Sequence, residues 1–187
     1  MDKLIKLHGM ESGVFQFREN SIEFHYQGHI LLGYVHIVPG ILFLLLGGYQ
    51  LIPYFRKKNY EVHRLVGKIF LLLSAVLFLT AMVLGLFYPF GDWLESAVTL
   101  IFGGYLLYAT FMAYKKARQR DFRAHQNWVI RVYFVALSVS TIRGVIALFM
   151  TNGYQEMSEI FGLSFLIAFV LHFLLVELWI RYLVIPE

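Results

Sequence analysis

The sequence predicts an all-α integral membrane protein, a polytopic bundle of five transmembrane helices with its N-terminus outside and its C-terminus in the cytoplasm. Three observations carry this. The 187 residues are 59% hydrophobic and 15% charged, with a mean hydropathy of +0.65, whereas in a soluble domain about a quarter of residues are charged. The apolar residues gather into five blocks, each able to cross a hydrocarbon core of roughly 30 Å at about 1.5 Å of rise per residue. Most of the basic residues fall in two of the four connections between blocks, the asymmetry that orients a chain in a bilayer. A soluble helical bundle would need polar surface that these blocks do not contain.

Residues 1–28, MDKLIKLHGMESGVFQFRENSIEFHYQG, join no basic leader to an apolar core and cleavage site. They read as an interfacial or flexible segment rather than a cleaved signal peptide. Residues 29–187 form the transmembrane domain. Its first block spans about 29–54 and its second about 66–89, ended by Pro89, Gly91 and Asp92. The third spans about 95–114, the fourth about 128–150 and the fifth about 160–185.

The first connection carries Arg56, Lys57, Lys58 and Arg64, and the third carries Lys115, Lys116, Arg118, Arg120 and Arg123. The second and fourth, around Asp92 and Glu95 and around Glu156 and Glu159, carry neither lysine nor arginine. The first and third connections are therefore placed in the cytoplasm, with Arg181. The net charge of +4 is explained by orientation and by contact with membrane lipids, so no nucleic-acid partner is expected. The absence of cysteine excludes disulfides, thiol catalysis and cysteine-ligated zinc or iron–sulfur sites in this chain. A short internal echo is visible: NYEVHRLVGK and RDFRAHQNWVIR both place a histidine just before the next apolar block.

Polar residues inside the blocks are the candidates for chemistry, because an ionisable group in hydrocarbon is costly unless satisfied or used. On the first helix His29, Gly33, His36, Gly40, Gly47 and Gln50 recur at helical steps and form one stripe, with Pro39 as a bend. The stripe serves either close helix packing or as the lining for a cofactor or polar substrate. His172, in the fifth block, lies within about 8 Å in depth of His36 if 1.5 Å of rise per residue is applied to both. The two are a candidate bis-histidine haem pair, against a purely structural His172. Arg131 can snorkel or pair with Glu177, and Arg143, in the outer half of the fourth block, matches no acid at its depth. Arg143 is read as a ligand or proton-path residue, or as bonded to carbonyls or water.

On the cytoplasmic side His63, Arg64, Asp121, His125, Trp128 and Arg131 crowd the starts of the second and fourth helices. Three readings stand together: a transition-metal site of His63, Asp121 and His125; contact with a haem edge or quinone headgroup; or a capping and lipid-phosphate network. No HExxH, GxSxG, P-loop or dinucleotide fingerprint occurs.

His36 followed by Gln50, HRLVGK at 63–68, RDFRAHQNWVIR at 120–131 and then Arg143 resemble the bacterial integral membrane proteins catalogued as domain of unknown function 2306. The matching positions are His36, Gln50, His63, Arg64, Gly67, Asp121, His125, Trp128, Arg131 and Arg143. The resemblance implies a compact multi-pass domain of a bacterial cytoplasmic (inner) membrane, with histidines and arginines as its working residues. The expected function is a membrane redox protein that binds haem b or a quinone through His36, Gln50, His63, Arg64, His125, Arg131, Arg143 and His172, with a quinone or redox partner. A transporter or small-molecule-binding protein, and a non-enzymatic assembly or scaffold protein, are the alternatives.

Overall fold

In hydrocarbon no water is available to an unpaired N–H or C=O, so each apolar block must satisfy its backbone internally, and it does so as a helix. The computed structural model describes residues 27–154 and 156–182. Apart from its last two residues, the amino-terminal segment expected to be interfacial lies outside them. A 3-10 turn, Gln27–His29, leads into α1 (Ile30–Leu51), α2 (Pro53–Lys58), α3 (Tyr60–Phe87), α4 (Trp93–Arg118), α5 (Phe122–Ala136), α6 (Ser138–Thr151) and α7 (Met157–Tyr182). Among the described residues, five spans are long and apolar enough to cross a membrane, with α5 and α6 together forming the fourth. Leu31, Leu72 and Phe87, and likewise Ile101, Leu148 and Leu174, point outward and exposed, the reverse of a water-soluble surface. The chain divides after Phe90 into two compact units.

The first unit is a hairpin of α1 and α3 joined through α2. Phe43 and Phe70, each 1% exposed, stack with ring centroids 5.0 Å apart, and Phe78 meets Phe43 edge-on at 5.8 Å. The predicted stripe on α1 is the face that packs: Gly33, Gly47 and Gln50 are buried with Phe43, and a Cβ on Gly40 would touch Leu77 at 3.4 Å. The helix continues through Pro39. Pro53 starts α2, where its missing N–H costs no helical bond. Asn59 caps α3, accepting from the N–H groups of Glu61 and Val62 at 3.1 Å each.

The second unit packs α4 against α5 and α7, and α7 against α5 and α6. At one end Asp92 accepts from Glu95 N–H at 3.2 Å, while the buried Glu95 carboxylate reaches back to Gly91 N–H at 2.7 Å. These bonds form a variant of the capping box. The start of α7 lies tightly against this knot, since a Cβ on Gly162 would collide with the Asp92 carboxylate and with Glu95 N. At the other end α4 closes in a Schellman pattern: Asp121 N–H bonds the Lys116 carbonyl and Arg120 N–H that of Ala117. Arg120 stands at φ 61°, where glycine is usual.

The largest differences from the sequence reading are at three places. The second and fourth spans begin six residues earlier than expected, at Tyr60 and Phe122, because Asn59 and Asp121 cap them ahead of the first apolar residues. The fourth span, expected to be one helix, is broken at Leu137.

Candidate functional site

At the basic end of the second unit, α5 presents a stripe to α4 and α7. Asp121 caps α5, accepting from Ala124 N–H at 3.1 Å, and pairs with Lys116 Nζ at 3.1 Å. The Ala124 N–H, then the lysine, hold its carboxyl below the usual carboxylate range. One turn on, the His125 ring bonds the Ala113 carbonyl on α4 through Nδ1 at 2.8 Å. A carbonyl only accepts, so Nδ1 carries the proton and Nε2 the lone pair. Carbonyl orientation of this kind fixes the tautomer of a ligating or proton-accepting histidine. The ring is part-buried.

Further along the stripe, Arg131 forks onto Glu177 of α7, Nε to Oε1 at 2.6 Å and Nη2 to Oε2 at 2.8 Å. The guanidinium also lies 4.7 Å from the Trp128 ring centroid, and Trp128 meets Tyr108 edge-on at 5.6 Å. A lysine could not reproduce the bidentate fork, and it would offer no planar guanidinium to the aromatic face. The Tyr105 hydroxyl is buried beside the Arg131–Glu177 pair. It interacts electrostatically with both residues, without a hydrogen bond of good geometry.

Deeper in this unit His172 has both nitrogens engaged. Nδ1 donates to the Phe134 carbonyl at 2.8 Å, which leaves Nε2 to accept from the Thr141 hydroxyl, also at 2.8 Å. In this arrangement the imidazole offers no lone pair, and binding iron would cost it the Thr141 bond. Arg143 on α6 is exposed and, among the described residues, forms no ion pair.

In the first unit Gln50, 6% exposed, donates from Nε2 to the His63 carbonyl at 3.1 Å and lies against Gly67. Three of the motif positions, Gln50, His63 and Gly67, therefore meet where α1 ends and α3 begins. His36 bonds the Thr80 hydroxyl through Nδ1 at 3.0 Å, and that hydroxyl also lies 2.8 Å from the Val76 carbonyl. With the hydroxyl proton given to Val76, Nδ1 of His36 is the protonated nitrogen. Arg64 is exposed.

The structure thus joins Gln50 with His63, Arg131 with Trp128 and Glu177, and His172 with the break in the fourth span. His36, Gln50, His63 and Arg64 belong to the first unit, and Asp121, His125, Arg131, Arg143 and His172 to the second. Among the described residues no three histidine, aspartate or glutamate side chains gather as a metal site. The sequence reading missed Tyr105, Thr80 and Thr141. Tyr105 is one of 12 tyrosines, and only its depth opposite Arg131 could have singled it out.

Over residues 33–180 the chain matches the family described as DUF2306, predicted membrane protein, and it belongs to that family as a multi-pass membrane protein. No curated protein and no solved structure matches it.

Proposed function

We propose that this chain is a membrane redox protein that binds a quinone headgroup at the basic end of its second unit. One observation carries the reading: the His125 ring is held in a single tautomer by the Ala113 carbonyl, so that its Nε2 lone pair is preset to accept a quinol hydroxyl. Trp128, three residues on, supplies an aromatic surface, and the Arg131–Glu177 fork holds that surface in place. Quinone is favoured over haem b because His172, one half of the candidate haem pair, spends both nitrogens on protein partners. In this reading the basic connections face the cytoplasm of a bacterial cell, the N-terminus is outside and the C-terminus inside.

The test is titration of detergent-purified protein with a short-chain quinone, read by quenching in a variant that keeps Trp128 as its sole tryptophan. Organic extraction for co-purifying quinone and a reduced-minus-oxidised visible spectrum accompany it. Saturable quenching that weakens at least tenfold in His125→Ala is expected. Absence of saturable binding, or equal binding by the variant, refutes the reading, and a Soret band with an alpha band would restore haem.

Arg143 favours a second reading, a transporter or small-molecule-binding protein. An exposed arginine within an apolar span calls for an anionic or carbonyl-bearing ligand. Flux or cargo protection that survives Arg143→Gln would exclude that role.

A further inference from the structure

The break in the fourth span falls in Phe134-Val-Ala-Leu-Ser-Val-Ser140, which contains neither proline nor glycine. Leu137 keeps helical dihedrals, and without proline or glycine an interruption of the ladder arises where a side chain enters it. Here that side chain comes from another helix. His172 of α7 donates to the Phe134 carbonyl in the last turn of α5 and accepts from the Thr141 hydroxyl in the first turn of α6. A carbonyl in the last turn of a helix lacks an intrahelical donor, so the imidazole acts as a cap for α5 and a tether for α6.

We propose that Leu137 is a hinge in the fourth span and that His172 is its latch. With both bonds made, α6 is fixed relative to α5; with the Thr141 bond released, α6 is free to re-orient while α5 stays on α4. Two features of the same unit make the break a hinge rather than a static bend. Ser138, at the break, is fully buried, and its Oγ makes no hydrogen bond among the described residues, so the latched state retains an unsatisfied group that straightening or tilting can relieve. The outer face of α6 is also open: Val139 and Leu148 are exposed, and nothing stands within 4 Å of the position of a Cβ on Gly144. Chiefly α7, the helix that bears the latch, packs against α6.

Because the chain has no cysteine, spin labels can be placed on Gln126→Cys in α5 and Ala147→Cys in α6, both exposed. The two lie about 30 Å apart along the span by helical rise, within reach of pulsed electron–electron distance measurement. The labelled protein and its Thr141→Ser variant are expected to give one narrow distance distribution. In Thr141→Val, which keeps shape and removes the bond, a second distance should grow by roughly two- to tenfold in population, the effect of losing one such hydrogen bond. His172→Phe should increase it further. Distributions that superimpose on the parent in both variants would overturn the proposal. Collapse of helicity in Thr141→Val would also overturn it, because a latch is dispensable for folding.

Discussion

The Arg131–Glu177 fork should be the strongest single polar tie in the second unit. Its side chains are 16% and 35% exposed, between the fully buried pair, where removal of one partner costs about 3–5 kcal/mol, and the surface pair, worth about 0.2–1 kcal/mol. Discounting for the exposure of Glu177, Arg131→Met is expected to cost about 2–3 kcal/mol. Glu177→Gln, which keeps one acceptor oxygen, is expected to cost about 1–2 kcal/mol. The double variant should lose less than the sum of the two, giving a coupling of about 2 kcal/mol in a double-mutant cycle. Arg131→Lys should recover only part of it, because a lysine cannot fork. The assay is reversible unfolding in mixed micelles of rising denaturing-detergent fraction, followed by far-ultraviolet circular dichroism. A coupling below about 0.5 kcal/mol would show that the bonds of 2.6 and 2.8 Å are energetically idle and would refute the reasoning.

Four further outcomes can be checked in the same micelles. Gly162→Ala should destabilise by about 1–3 kcal/mol, since the new Cβ meets the Asp92 carboxylate and Glu95 N. Gly104→Ala, with nothing within 4 Å of the added Cβ, should instead gain about 0.5–1 kcal/mol of helix propensity. Arg120→Gly should stabilise by about 1 kcal/mol by relieving a left-handed arginine. The stability difference between the parent and Asp121→Asn should be largest at neutral pH. Because the folded carboxyl is held below its ordinary range, the advantage should be full above that range, shrink as pH falls into it and the unfolded chain takes up its proton, and be gone below the lowered value; thermal melts across acidic pH would show a constant difference if the Ala124 and Lys116 bonds did nothing.

The membrane class was legible because hydropathy acts over whole blocks, and five spans follow from it. Helix starts were less legible: Asn59 and Asp121 read as loop residues by hydropathy, yet each accepts helix N–H groups and draws polar residues into the helix. The Arg131–Glu177 pair was open to reading from matched depths on two antiparallel spans. The break at Leu137 was not, because its cause, His172, lies 35 residues away and acts through a backbone carbonyl that no residue type marks. Arg143 stands out in the sequence as a charge in an apolar span, but the sequence is silent on the side of α6 it occupies, which packing against α7 decides.

The internal echo shows why motif and chemistry must be separated. Asn59 and Asp121 are both N-caps, and in each case the histidine four residues on bonds back to the cap carbonyl, at 3.1 Å for His63 and 2.9 Å for His125. Each histidine is also tied to the preceding membrane span across a similar interval, 50 to 63 and 113 to 125. The ties use opposite parts of the residue. Gln50 takes the backbone carbonyl of His63, which anchors α3 and says nothing about the tautomer of that ring. Ala113 takes the ring of His125, which sets the proton on Nδ1 and presents Nε2 as a base. Equivalent positions in two similar hairpins therefore carry different capacities. A shared loss of quinone binding in His63→Ala and His125→Ala would mean that the motif acts through fold alone, whereas loss confined to His125→Ala assigns the chemistry to the oriented imidazole.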